Sequence, residues 1–341
     1  CCIHPANCHG LRGFSLWKVI TLHPNERHSY CHLKSRTGCV CHHRACATHQ
    51  QAALRCGAAP SGGGGINVAR VLHRLGAECQ AVCLLGGPSG QMLFQLLEQE
   101  GVPCVPVTIA GHTRESFTVL ESASGQEFRF VLPGPDIHPD EIHTLMATLA
   151  RQAPPKLVVG SGSLPPGVTT DFYAQLAQVA QGWGARMVVD GSGPAVAAAL
   201  AQGVYMVKPS LREMRELTSL PLADLGAVRE AALAWIADRR AEVVAVSLGD
   251  RGAMLVTAQS VLFAPPLPVQ VVSAVGAGDS FVAGMVWALS HGHPVERAFA
   301  YAVAAGSAAL SSTGTALCSA SDVHRVVEHV QLLTEIPELR F

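Results

Sequence analysis

Four short apolar runs, Leu157-Val158-Val159, Met187-Val188-Val189-Asp190, residues 204–207 and residues 241–248, leave little choice of architecture. Each is apolar on both sides of its pleat, so each needs cover on both faces. Stretches long enough for helices of about 10–15 residues separate them, which predicts an α/β fold of three layers, a mostly parallel sheet between helices. In such folds ligands sit beyond the carboxyl ends of the strands. The glycine-rich loops fall at those ends: Gly160-Ser161-Gly162-Ser163-Leu164-Pro165-Pro166-Gly167, leading to a helix over 169–181, and Gly249-Asp250-Arg251-Gly252.

Ahead of this repeat, four glycines at 62–65 lead into Ile66, Ala69, Leu72 and Leu75, spaced as the buried face of a helix that Gly76 stops. Bare backbone before a helix lets a ligand approach the main chain, and Asn67 on the first turn is placed to bond a sugar hydroxyl. Glycine runs are often flexible linkers; the immediate helix argues against that here. Residues 80–85 read as a strand and 91–100 as a helix. Two alternating runs at 116–120 and 127–132, joined by Ser122-Ala123-Ser124-Gly125, predict a hairpin standing off the main sheet as a flap, with Arg114 at its base.

Near the end of the chain, Gly276, Ala277 and Gly278 leave the backbone bare just before Asp279, Ser280 and an apolar helix over 281–290. Successive N–H groups and the positive end of the helix dipole then converge on an anion-sized hole. A carboxylate there repels a phosphate, so Asp279 suits a proton acceptor for a substrate hydroxyl while the amides carry the charge of a phosphoryl group. Taken alone, the same residues also fit an ordinary helix N-cap after a glycine turn. Helices over 295–310 and 321–332 follow.

Only 14% of the 341 residues are charged and the net charge is −1, which points away from nucleic acid and towards a small ligand. No apolar run reaches the roughly eighteen residues that cross a bilayer, and no signal peptide opens the chain, so a soluble, cytoplasmic protein is expected. Cysteine is uneven, with eight of twelve in the first 56 residues beside eight of the sixteen histidines. Cys39, Cys41, His42, His43 and Cys46 are zinc-type ligands, but the Cys-x-Cys spacing and the lack of a second pair argue against a zinc module. Residues 1–53 show no helical or strand period and read as an anomalous, poorly structured segment, as an out-of-frame start would; residues 54–341 read as the folded domain, with its flap drawn from about 113–132.

The combination of Gly62-Gly63-Gly64-Gly65-Ile66-Asn67-Val68-Ala69-Arg70, Gly162-Ser-Leu-Pro-Pro-Gly167, Lys208-Pro209, Ser247-Leu-Gly249 and Gly276-Ala-Gly-Asp-Ser280 resembles the PfkB branch of the ribokinase-like sugar kinases. The resemblance runs from about residue 54 to about residue 330. It implies a ribokinase-like fold with a β lid and an ATP-dependent kinase of a ketohexose phosphate, most closely fructose 6-phosphate at its 1-hydroxyl in glycolysis. Fructose 1-phosphate and tagatose 6-phosphate are the alternatives; Gly64 stands where kinases of those two sugars usually carry Lys. By matching position Asp279 would be the base, and Gly276, Ala277 and Gly278 the amide hole. Gly63, Gly64, Asn67 and Ser163 would hold the sugar, and Arg114 its phosphate. Lys208, Ser210, Glu213, Ser247, Gly249, Gly252 and Ser307 would line the ATP side, with Glu213 reaching Mg2+ indirectly. Mg2+ with ATP, a potassium ion and a homodimer clasped through the lid are implied in the same way.

The chain departs from the family pattern at several places. Thr21-Leu22-His23-Pro24 is followed by Asn25-Glu26-Arg27, with no Asp where the family's first strand ends in a sugar-binding carboxylate. Ala53 stands for a flap Lys, Ser210 for an Asn, Ala274 for a hydroxyl residue, and Ser312 and Ala316 for an Asn and an Arg near the adenine side. A second expectation of a different class follows: a folded, nucleotide-binding product with a disrupted N-terminal part and impaired catalysis.

Overall fold

The computed structural model describes residues 10–14, 18–22, 63–120, 127–312 and 316–341. Among them, strands β2 (Lys18–Leu22), β3 (Cys79–Leu85), β4 (Cys104–Thr108), β7 (Leu157–Ser161), β8 (Arg186–Asp190), β9 (Val204–Val207), β10 (Ala241–Ser247), β11 (Ala253–Thr257) and β12 (Val261–Ala264) form one sheet in the order β12-β11-β10-β9-β8-β7-β2-β3-β4. Only β2 and β11 run against the other strands. β1 (Gly10–Phe14), β5 (Glu115–Leu120) and β6 (Glu127–Val131) make a separate antiparallel sheet in the order β1-β5-β6, which is the expected flap with a third strand added.

Two of these strands, β1 and β2, come from the opening segment whose sequence shows no regular period. That expectation is corrected for residues 10–14 and 18–22: β2 inserts between β3 and β7, with Ile20 opposite Ala81 and Val159, and its place is set by the hydrogen bonds two neighbours offer. The remainder of 1–53, including the five zinc-type residues, Asn25-Glu26-Arg27 and Ala53, lies outside the described residues.

Side chains of the central strands alternate between two cores, as the pleat requires. Leu157 and Val159 enter one core together with α1 (Gly64–Arg74), α8 (Ala277–Ser290), α9 (Val295–Leu310) and α10 (Ala320–Val327). Val158 enters the other, shared with α3 (Pro139–Ala150), α4 (Phe172–Gly182), α5 (Pro194–Gln202) and α7 (Leu225–Ala237). No helix among the described residues is long and apolar enough to cross a membrane.

Two helices on the first face hold the site. α1 and α8 pack side by side, and the Trp287 indole N–H donates to Leu75 O across 2.8 Å, closing the last turn of α1 against α8. α8 lies against α9 so tightly that a Cβ on Gly284 would stand 2.4 Å from Tyr301 O. Backbone contact of this kind fixes the height at which each helix begins.

Candidate active site

Gly276 is the N-cap of α8, at φ 79°, a left-handed value that glycine takes without strain. Asp279 is therefore three residues into the helix, and capping does not account for it. Its Oδ2 accepts a hydrogen bond of 2.7 Å from Asn67 Nδ2 on the first turn of α1. Gly276 lies beside the same amide, since a Cβ there would stand 3.7 Å from Asn67 Nδ2. Asn67 is buried, and its Oδ1 has no hydrogen-bond partner among the described residues. The first-turn amides of α8 have no intrahelical acceptor, although Ala277 N–H makes a long contact of 3.4 Å with Ala274 O.

Gly63 caps α1 at φ 114°, and Asn67 N–H donates to its carbonyl at 2.9 Å. At Gly64 a Cβ would meet Ser161 Oγ at 2.7 Å and Gly162 N at 3.2 Å, so the start of α1 sits directly on the end of β7. Ser163, two residues beyond, is exposed. Arg114 is half-buried at the foot of β5. Its neighbour Thr113 is bonded to Gly86 in both directions: Thr113 N–H donates to Gly86 O at 2.9 Å, and Gly86 N–H donates to Thr113 Oγ1 at 3.0 Å. The flap base is thereby tied to the end of β3, at the same edge of the sheet.

Lys208 follows β9 and is 5% exposed. Its Nζ pairs with Asp190 Oδ1 at 2.9 Å and lies beneath Gly278, where a Cβ would stand 3.2 Å from it. Burial pulls the Lys208 pKa down, but Asp190 in contact, with Glu213 and Asp279 farther off, more than offsets this, and the net direction is up. The ammonium thus stays charged among three carboxylates. Asp190 is held from its other side by Ser161 Oγ at 3.0 Å.

The sequence reading passed over Ser161 and Asp190 as site residues. Asp190 ends an apolar strand at the edge where ligands bind, and a buried Lys208 demands an acidic partner; together those two facts pointed to it.

On the remaining side, Ser210 caps α6 (Leu211–Thr218) in a reciprocal pair with Glu213: Ser210 N–H donates to Glu213 Oε2 at 2.8 Å and Glu213 N–H to Ser210 Oγ at 3.3 Å. Ser210 bridges to Ser247 at the end of β10. Gly249, at φ 68°, has open space on its Cβ side, whereas Gly252 is pressed against β12, a Cβ there falling 2.1 Å from Ala264 O. Ser307 is half-buried on α9, next to Gly306, whose Cβ would meet Ala277 O at 3.3 Å. Asn67, Gly276, Gly278, Asp279 and Lys208 therefore come together, with Gly63 and Gly64 beside them. Ser210, Glu213 and Ser247 form a second group reached through Lys208. Arg114 and Ser163 stand at the edge.

The family model of the pfkB family carbohydrate kinases matches residues 47–322. The chain belongs to this family. As a pfkB carbohydrate kinase it is a phosphotransferase with an alcohol group as acceptor. Among its relatives, the ATP-dependent 6-phosphofructokinase isozyme 2 of Mycobacterium tuberculosis (strain ATCC 25618 / H37Rv) is 41% identical over 286 residues, 83% of this chain and 84% of the relative. The isozyme of the same name from Escherichia coli K12 is 40% identical over 280 residues, 81% and 91%. The 1-phosphofructokinase of Haloferax volcanii is 35% identical over 274 residues, 80% and 87%.

Crystal structures of phosphofructokinase-2 from Escherichia coli, one in complex with potassium and one with fructose-6-phosphate, match with TM-scores of 0.77 and 0.75 at 34% and 33% identity. Each match covers 95% of this chain and 97% of the other. The ribokinase of Arabidopsis thaliana shares the fold at a TM-score of 0.63 and 19% identity, covering 94% of this chain and 97% of that one. The ribokinase-like fold expected from the sequence is the observed one.

Proposed function

We propose that this pfkB kinase transfers the terminal phosphoryl group of ATP to the 1-hydroxyl of fructose 6-phosphate, in glycolysis and in the cytoplasm. The observation that carries the reading is the Asn67–Asp279 bond beneath the bare first turn of α8. Asn67 Nδ2 bonds Oδ2 and orients the carboxylate, which would accept the sugar's proton. Gly276, Ala277 and Gly278 offer amides to the phosphoryl group in flight, and the Lys208 ammonium under Gly278 offsets its charge. The orphaned Asn67 Oδ1 suits a second sugar hydroxyl, since a buried acceptor without a donor is costly. The 40–41% identity to relatives named for this activity supports the choice of sugar.

In this reading Gly63, Gly64 and Ser163 border the sugar, and Arg114 at the flap base meets its phosphate. Ser210, Ser247, Gly249, Gly252 and Ser307 border ATP. Mg2+ would arrive with ATP: among the described residues no three ligating side chains are close enough to cage a metal ion, which suits a cation held mainly by phosphates and water. Glu213 would reach it through water, and the excess of carboxylates over Lys208 favours its charge. The bound Mg2+ would draw charge from the transferred group. Potassium, present in one Escherichia coli relative's crystal structure, is included in the proposal, as is a homodimer formed through the flap.

A coupled ADP-release assay decides between fructose 6-phosphate, fructose 1-phosphate and tagatose 6-phosphate, run with potassium and with sodium. Asp279→Asn should lower turnover about a thousandfold, the usual worth of a positioned base, at unchanged ATP affinity. Retained turnover would remove Asp279 as the base. No turnover on any sugar phosphate, with ATP still raising the melting temperature, would favour the nucleotide-binding, catalytically impaired alternative.

A further inference from the structure

The turn Gly249–Arg251, a single 3-10 turn after β10, carries one residue of the proposed ATP border and leads into another. It is held from two sides. On the inner side Leu248 N–H donates to Gly252 O at 2.9 Å, and Gly252 is fixed against the backbone of β12. On the outer side Arg251 Nη1 donates to Arg340 O at 2.9 Å, and its guanidinium lies 5.2 Å from the centre of the Phe341 ring. The mechanism described above uses neither contact.

Residues 333–341 that meet Arg251 are themselves anchored twice. Phe263 and Leu333 exchange two backbone hydrogen bonds of 2.8 Å, so the segment pairs with the open side of β12. Farther on, Leu225 N–H donates to Leu339 O at 3.1 Å and Phe341 N–H to Ala223 O at 2.8 Å, while Ile336, Leu339 and Phe341 pack on the second core. The segment thus runs as a strap from the sheet edge to the start of α7, and the one side chain of the turn that grips it is Arg251.

We propose that this strap positions the nucleotide loop: acting through Arg251, Arg340 O and the Phe341 ring set the shape of Gly249–Gly252 in which ATP is received. Arg251 and Phe341 are positioning residues; neither needs to touch the nucleotide. The inference rests on the kinase reading for the identity of the ligand. Its physical basis is that Gly249 has open space on its Cβ side and two glycines flank the turn, so the turn by itself is free to take other shapes. Apparent affinity falls by the fraction of time the loop spends outside the receiving shape.

The test measures KM for ATP and for fructose 6-phosphate, the Kd of ATP by calorimetry and the melting temperature in Arg251→Ala and Phe341→Ala. Loss of a half-buried cation–π contact and a charged-donor hydrogen bond should raise the KM and Kd of ATP about three- to tenfold. KM for the sugar phosphate should stay within about twofold, because its proposed partners lie on α1, on α8, just past β7 and at the flap base, away from this turn. Arg251→Lys and Phe341→Trp should restore most of the ATP affinity, which a loss of general stability would not allow. ATP constants equal to those of the unaltered protein would overturn the inference. So would an equal rise of both KM values with a lower melting temperature. Should the unaltered protein turn over no sugar phosphate, the kinase reading fails by itself; the ATP Kd of the two alanine variants then still decides this proposal, a rise supporting it and no change overturning it.

Discussion

Replacing Asp190 by Ala should unfold the protein several degrees earlier, and replacing Lys208 as well should recover much of the loss. Lys208 is 5% exposed and Asp190 8%, and they meet at 2.9 Å. Removing the acid strands an ammonium in the interior, which costs about 3–5 kcal/mol, more than the pair contributes when intact. Spread over the unfolding entropy of 341 residues, about 0.7 kcal/mol/K, this lowers the Tm by about 4–7 °C. Asp190→Ala/Lys208→Met removes the stranded charge, at the cost of leaving the Ser161 hydroxyl short of a partner and taking the cation from Glu213 and Asp279, so it should lie at least about 2 kcal/mol above the single variant. Differential scanning calorimetry on the three proteins at pH 7 reads both numbers. A single variant within about 1 °C of the parent, or a double variant less stable than the single one, would refute the argument that the charge is buried and paired.

Two further outcomes follow from local geometry. Gly276→Ala places a Cβ 2.4 Å from the buried Leu317 side chain at φ 79°, whereas Gly292→Ala, at φ 78°, meets nothing within 4 Å. Calorimetry should show about 1–2 kcal/mol lost in the second and roughly twice that in the first, with turnover falling only in the first. The His73 pKa lies below its ordinary 6.5 chiefly because of burial, with Arg74 lowering it too and Glu100 opposing. A depressed imidazole binds its proton more readily in the unfolded chain, so its contribution is intact above pH 6.5 and is lost as pH falls through the folded value. Tm measured from pH 8 to pH 5 should therefore fall less steeply in His73→Gln than in the parent.

Much of the fold was legible because its elements are simple. The strand Val204–Val207 and the helix Val295–Leu310 match the sequence reading at both ends, and α1 begins two residues before the expected Ile66, since Gly64 and Gly65 take helical backbone against β7. The last helix stops at Val327 and not near residue 332, because the chain leaves it to pair Leu333 with β12. Local pattern did not reveal β1 and β2, which are placed by strands far along the chain, nor the reversal of β11 beside the edge strand β12. At the site, the glycines and Asp279 stood out through their spacing. The Ser161–Asp190–Lys208 chain did not, because its members lie on three separate strand ends that only the sheet brings side by side.

The bond from Asn67 to Asp279 and the bond from Trp287 to Leu75 each span 212 residues. At about 5–20 residues added per second, a growing chain waits about 10–40 s between making α1 and meeting its counterpart. During that interval the side of α1 that meets α8 stays uncovered, while β3 and β7 are already made and can pack against the rest, and the proposed base is not yet present. Synthesis and closure of the candidate site are thereby separated in time: a fragment ending before α8 lacks both bonds, and the site is whole only when the two distant helices have closed on each other.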